Sequence, residues 1–243
     1  MASPLSTQIV DDLKQNFYWS YLSQNGTSIE IVNLEMTVEQ FLEYIDIDLF
    51  GVDPYTPNDL VTLHYGMNTK VSDSEIQYFT YMLANSEING LGVMVNLGII
   101  DHPTEYLLLE EASTYSAINA TQYGIRKGMY EDAYIFSPYI DESVVISSFT
   151  NHPLMCSFPK EDFRNFILDN MSSPTMDLST LKLVFQMGAT YYTGVDSDYK
   201  VETAIVITKD SSGLRIDGIN YANKPFKYKA MDVGAICPPQ CGI

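Results

Sequence analysis

Thr37-Val-Glu-Gln-Phe-Leu-Glu-Tyr-Ile45, then Asp53-Pro-Tyr-Thr-Pro57, then Leu60-Val-Thr-Leu-His-Tyr-Gly66: these three stretches read as a capped helix, a break and a strand. Thr37 with Gln40 makes a capping box, in which each side chain accepts the other residue's free backbone amide. Phe41, Leu42, Tyr44 and Ile45 then form one apolar helical stripe. Two prolines stop it, and alternation from Leu60 signals a half-buried strand.

The same order recurs twice further along the chain. Ser72 and Glu75 repeat the capping-box pattern, Ile76, Phe79, Met82 and Leu83 predict a second apolar helical face, and Leu91 to Gly98 predicts its strand. Pro159, Lys160 and Glu161 lead into Phe163, Phe166, Ile167 and Leu168, and Leu181 to Gly188 follows as a strand. Each strand ends in an apolar-Gly step: Tyr65-Gly66, Leu97-Gly98 and Met187-Gly188. Phe41 and Phe163, like Gly66 and Gly188, stand 122 positions apart, about half the chain. That spacing raises a duplication, with residues 1–121 and 122–243 as halves sharing one core. The competing account is that helix, turn and strand is a common local order that needs no ancestry.

Outside these units, Ser3-Pro4 predicts a helix start, carried by Ile9, Val10, Leu13, Phe17, Tyr21 and Leu22 and stopped at Asn25-Gly26. Ile29 to Val32 predicts a short strand, and Tyr106 to Glu111 favours helix. Tyr115 to Met129 suits either state, whereas Ala133 to Phe136 and Val144 to Phe149 predict strands. Glu202 to Thr208 and Leu214 to Ile219, joined by Lys209 to Gly213, predict a C-terminal β-meander. With no Gly/Ser-rich linker or shift in composition, the expected fold is one α+β domain over residues 1–243, its helices packed on a largely antiparallel sheet.

Charge then narrows the partners. Thirty-one acidic side chains against 13 basic ones give a net charge of -18, a surface that repels phosphate backbones and anionic headgroups. The lysines of the last quarter are scattered and form no basic run, so no nucleic-acid partner is expected. No segment approaches the length of a membrane helix, so no membrane insertion is expected. The start, Met1-Ala-Ser-Pro-Leu-Ser-Thr7, has no basic and apolar leader pattern, and three cysteines suit a reducing compartment. A cytoplasmic location follows as the expectation, with export by a signal-independent route as the alternative. Only 18% of residues are charged while 18 are Tyr. Such a surface, rich in Tyr, Asn and Ser, suits protein contact, although a lysine-poor proteome accounts for it equally.

Several groups bear on chemistry. Cys237-Pro-Pro-Gln-Cys241 spans the right length for a local disulfide and lacks the spacing of a zinc or thioredoxin site. Cys156 follows His152 by four residues, but its apolar neighbours predict burial. Asp196, Asp198 and Glu202 place hard oxygen ligands near a turn, a candidate calcium site without the EF-hand pattern, and Asp46, Asp48 and Asp53 do the same near Gly51. Trp19, the only tryptophan, and Tyr18 are candidate interface aromatics on the first helix. The chain has no P-loop, GxGxxG, GxSxG or HExxH pattern, and no cofactor is expected beyond that calcium. The expected function is a non-enzymatic structural protein that binds a protein partner or its own copies as a homo-oligomer. The alternative is a carboxylate-dependent hydrolase, with a divalent cation near Asp196 and Asp198.

Overall fold

The computed structural model describes residues 3–4, 10–14, 29–30, 34–56, 58–70, 73–89, 99–100, 105–110, 114–136, 155–171, 173–193, 198–209, 230–232 and 235–237. Two sheets carry the architecture. The first holds β1 (Ser3–Pro4), β3 (Leu34–Thr37), β10 (Lys182–Thr193), β11 (Asp198–Lys209) and β12 (Ala230–Asp232), in the order β1-β12-β11-β10-β3. The second holds β4 (Asp59–Lys70), β5 (Asp73–Asn89), β7 (Glu105–Glu110), β8 (Thr114–Asn119), β9 (Met155–Pro159) and β13 (Ala235–Cys237), in the order β13-β9-β4-β5-β7-β8. Two short strands, β2 (Ile29–Glu30) and β6 (Ile99–Ile100), join β5. Every pairing is antiparallel except β2 with β5. With the helices α1 (Val38–Ile45), α2 (Ala120–Phe136) and α3 (Lys160–Asn170), this is the expected α+β class.

α1 begins as its sequence dictates. The Thr37 hydroxyl accepts from the Gln40 amide and the Gln40 side chain accepts from the Thr37 amide, both at 3.2 Å. Its end is a left-handed Asp46, with φ of 55°. Val38, Phe41 and Ile45 are buried. α3 starts at Pro159 with no side-chain cap, and Glu161 and Asp162 in its first turn complement the positive helix end.

One apolar core lies among the two sheets, α1 and α3. It includes Leu34 and Met36 of β3, Leu63 and Tyr65 of β4, Phe158 of β9 and Phe185 of β10. Rings of α1 and α3 meet inside it: Phe41 and Phe163 lie 4.8 Å apart, Phe163 and Phe158 5.3 Å, and Phe41 and Phe185 6.2 Å. Fully burying a phenyl ring stabilises by roughly 1.5–3 kcal/mol, so this cluster is a main source of cohesion between the sheets. Across it, Tyr81 of β5 donates a hydrogen bond to the backbone oxygen of Gln186 at 3.0 Å.

The structure corrects four expectations. Ser3-Pro4 forms β1 at a sheet edge, paired with Asp232 and Met231, and helical backbone is found at residues 10–14 with Val10 and Leu13 buried. An edge tolerates proline, which has no amide to donate. The Ser72/Glu75 box does not start a helix: Asp73–Asn89 is strand β5. Tyr78 to Ala84 is buried without a break, and a strand covered on both faces loses its alternation, so periodicity cannot tell it from a helix. Tyr106 to Glu110 is likewise strand β7, buried from Tyr106 to Leu109, and not helix. Ala133 to Phe136 is not a strand but the last turn of α2. The expected strands Leu91–Gly98, Val144–Phe149 and Leu214–Ile219, and the Lys209–Gly213 hairpin turn beyond its first residue, lie outside the described residues.

Candidate interaction surface

β8 is the outer strand of the larger sheet. Its register on β7 runs from Glu105↔Asn119 to Glu110↔Thr114, and among the described residues nothing pairs with its other edge. One side chain anchors it. Ile118 is buried beside Met82, Ala84, Tyr106 and Leu108, whereas Tyr115, Ser116, Ala117 and Asn119 are exposed. From Ala112 to Ile125 fourteen consecutive residues carry no charge.

The chain turns directly from β8 into α2. The Asn119 side chain accepts from the amides of Thr121 and Gln122 at 3.0 Å, and the Gln122 side chain accepts from the Asn119 amide at 3.1 Å. This reciprocal cap fixes the angle at which the helix leaves the strand. Tyr123, Arg126 and Tyr130 then fall at helical spacing. Ile125 projects to solvent, 58% exposed, and Tyr115 is 38% exposed.

Beneath α2 the sheet is aromatic. His64 of β4 is 1% exposed, and its Nδ1 shares a hydrogen bond of 3.1 Å with the Tyr123 hydroxyl. The Tyr123 ring stacks on Tyr106 at 4.1 Å, with 6° between their planes, and both rings meet the imidazole edge-on. Burial drives the phenols of Tyr106 and Tyr123 above the ordinary tyrosine range; for Tyr123 the neighbouring Tyr106 and Glu131 push in the same direction. Further along β4, Asn68 donates to Glu110 at 2.6 Å and to the Tyr78 hydroxyl at 3.1 Å, and Arg126 binds the same Glu110 oxygen at 3.1 Å. Gly66 lies between the two groups. A Cβ there would stand 2.7 Å from Thr80 Oγ1, 2.9 Å from Met82 Cε and 3.2 Å from Arg126 Cβ, so its missing side chain lets α2 close on the sheet. Packed under the helix, these groups serve as a brace that holds β8 and α2 in position.

A second arrangement ties the loop after α1 to α3. Arg164 donates to the backbone oxygens of Gly51, at 3.3 Å, and Asp53, at 2.9 Å, and pairs with Glu161 at 2.8 Å. Tyr55 takes the amide of Asp48 on its hydroxyl at 2.6 Å, its own amide donates to Glu161, and Lys160 and Arg164 lie over its ring. The Asp48 carboxylate accepts from the Phe50 amide at 3.1 Å. Asp46, Asp48 and Asp53 thus belong to a structured turn, and among the described residues no group of three acidic, His or Cys side chains is arranged to hold a metal.

The remaining sequence candidates are placed less fully. Asp198 and Glu202 fall on β11, but their side chains and Asp196 lie outside the described residues. Cys237 falls on β13, again without a described side chain, and Cys241, Trp19, Tyr18 and His152 lie outside. Cys156 is buried in the shared core, paired in register with Leu63, an apolar setting in which a thiol is inert. Sequence reading missed the β8 edge. The Asn119/Gln122 pair and the uncharged run were its signals, but they sit inside the stretch that suited either state. No described helix is long and apolar enough to cross a membrane. Set against family models, curated proteins and solved structures, the chain matches none of them.

Proposed function

We propose that this is a non-enzymatic assembly protein whose β8 edge pairs antiparallel with the β8 edge of a second copy, joining two larger sheets into one. The observation that carries the reading is a six-residue outer strand, without charge or proline, whose far edge has no partner strand among the described residues, on a chain of net charge -18. Exposed edges add strands readily, and soluble proteins ordinarily protect them with charge, proline or shortness. The other outer strands have that protection: β1 is two residues long and includes Pro4, β3 carries Glu35, and β13 is three residues long. The uncharged run also lets two acidic molecules approach where their mutual repulsion is weakest. Pairing of one edge with itself is isologous and stops at two copies.

Multi-angle light scattering over a hundredfold dilution tests this. The wild-type chain should approach twice 27.4 kDa at the upper concentrations. Ser116→Lys and Ser116→Glu, which set like charges against each other across the new pairing, should raise the dissociation constant at least tenfold, about 1.4 kcal/mol, while the melting temperature of the monomer stays unchanged. A wild type that is monomeric throughout, or a dimer indifferent to both substitutions, would overturn the proposal.

A further inference from the structure

A shift of 122 positions carries β3, α1, β4, β5 and β7 onto described elements of the second half in order, while β1 would fall within α2. β3 at 34–37 moves to 156–159, where β9 spans 155–159, and α1 at 38–45 moves to 160–167, inside α3. β4 at 59–70 moves to 181–192, against β10 at 182–193. β5 and β7 move onto β11 and β12 in the same way, and helical residues 10–14 move to 132–136, the last turn of α2. The shift found in two Phe-Gly spacings therefore holds for whole elements.

The strand pairings repeat as well, with the halves exchanged. β3 lies on β10 through Thr37↔Lys182, Met36↔Leu183, Glu35↔Val184 and Leu34↔Phe185. Moving the first member up by 122 and the second down by 122 gives Pro159↔Leu60, Phe158↔Val61, Ser157↔Thr62 and Cys156↔Leu63, and these are the partners of β9 on β4. A register slip of one residue would break all four. The helices follow: α1 packs on β10 and α3 packs on β4. At the other end of each sheet the correspondence stops: the shift carries β8, which lies on β7, to 236–241, where β13 lies on β9, while β12 is paired by β1. A simple tandem arrangement would leave each strand on the sheet of its own half. Reciprocal exchange instead marks a two-fold relation, under which residue i meets j and j meets i.

Equivalent residues touch each other only near such an axis, and Phe41 and Phe163 do so at 4.8 Å. Glu39/Glu161, Phe41/Phe163, Ile45/Ile167 and Gly66/Gly188 keep the residue type across the shift. The halves differ where packing is less demanding. Thr37 caps its helix while the corresponding Pro159 makes no side-chain cap. The β4–β5 hairpin runs one residue out of step with β10–β11 and has an irregularity at Thr69/Lys70.

We infer that residues 1–121 and 122–243 are two copies of one unit joined in tandem, and that the seam between them is the homodimer interface of that unit, each copy lending one strand and the helix after it, β3 with α1 and β9 with α3, to the other's sheet. Under the shift β12 corresponds to β7, so the connection between β7 and β8 is the first-half counterpart of the chain that follows β12. This prediction is independent of the pairing proposed for β8.

A circular permutant tests it in a full-length chain, with Ile243 linked to Met1 by a Gly/Ser segment and new ends between Glu111 and Ala112. It should keep the far-ultraviolet circular dichroism and a single melting transition lowered by no more than about 10 °C. Failure of this permutant beside a folded control opened between Thr175 and Met176 would overturn the inference. If both fail to fold, a crystal structure of the wild-type chain decides. A rotation close to a half-turn must carry 34–45 with 59–69 onto 156–167 with 181–191, and any other rotation refutes the two-fold.

Discussion

Tyr44, Tyr106 and Tyr123 turn burial into chemistry that a titration can read. Burial, reinforced by the Glu105 carboxylate, pushes the Tyr44 phenol up to about 12 from its ordinary 10.0, and Tyr106 and Tyr123 are raised by burial first. The folded chain holds these protons at pH values where the unfolded chain has released them. Stability from this source is therefore full below pH 10.0 and is lost as pH rises through the folded-state values. The melting temperature should stay level on the approach to pH 10 and fall beyond it, and Tyr123→Phe should blunt the fall. A fall unchanged in that variant would assign it to other groups. Gly66 shows what was legible at this scale. The apolar-Gly step stood out in the sequence, but its cause is the close approach of Thr80, Met82 and Arg126, which no local pattern contains.

At the scale of elements, a signal survived where its physics was local. The Thr37/Gln40 box was read correctly because both hydrogen bonds close within one turn. Thr37→Ala should cost about 1 kcal/mol, seen as a lower urea midpoint with the slope unchanged; no shift would mean that packing of Phe41 and Ile45 alone holds the helix start. The Ser72/Glu75 pattern failed because β5 gains the full ladder from Asp59↔Glu87 to Lys70↔Asp73, and a long-range ladder with burial on both faces outweighs a cap. β7 failed for the same reason. The β8–α2 junction lacked the apolar periodicity that reading relies on, since most of its residues face solvent.

For the whole molecule, net charge is the property that solution conditions change most directly. Like charges on a surface of -18 repel, and the Debye length shrinks from about 30 Å at 0.01 M salt to about 8 Å at 0.15 M. Sodium chloride over that range should raise the melting temperature, and calcium at matched ionic strength should act to the same extent. A rise already present at micromolar calcium and absent with sodium would instead indicate a cation bound at Asp196, Asp198 and Glu202.

The amino-acid sequence by itself determined the acidic surface, the mixed α+β class, the capped helix α1, the α3–β10 unit and the 122-residue spacing, because composition, caps and short-range periodicity act between near neighbours. Only the tertiary structure decided that β5 and β7 are strands, that β1 and β12 from the two halves pair in one sheet, that α2 packs over the sheet beside the outer strand β8, and that β3 and β9 cross to opposite sheets. Those outcomes depend on which distant segments cover each face and in what register they pair, and that choice is made only when the whole core closes.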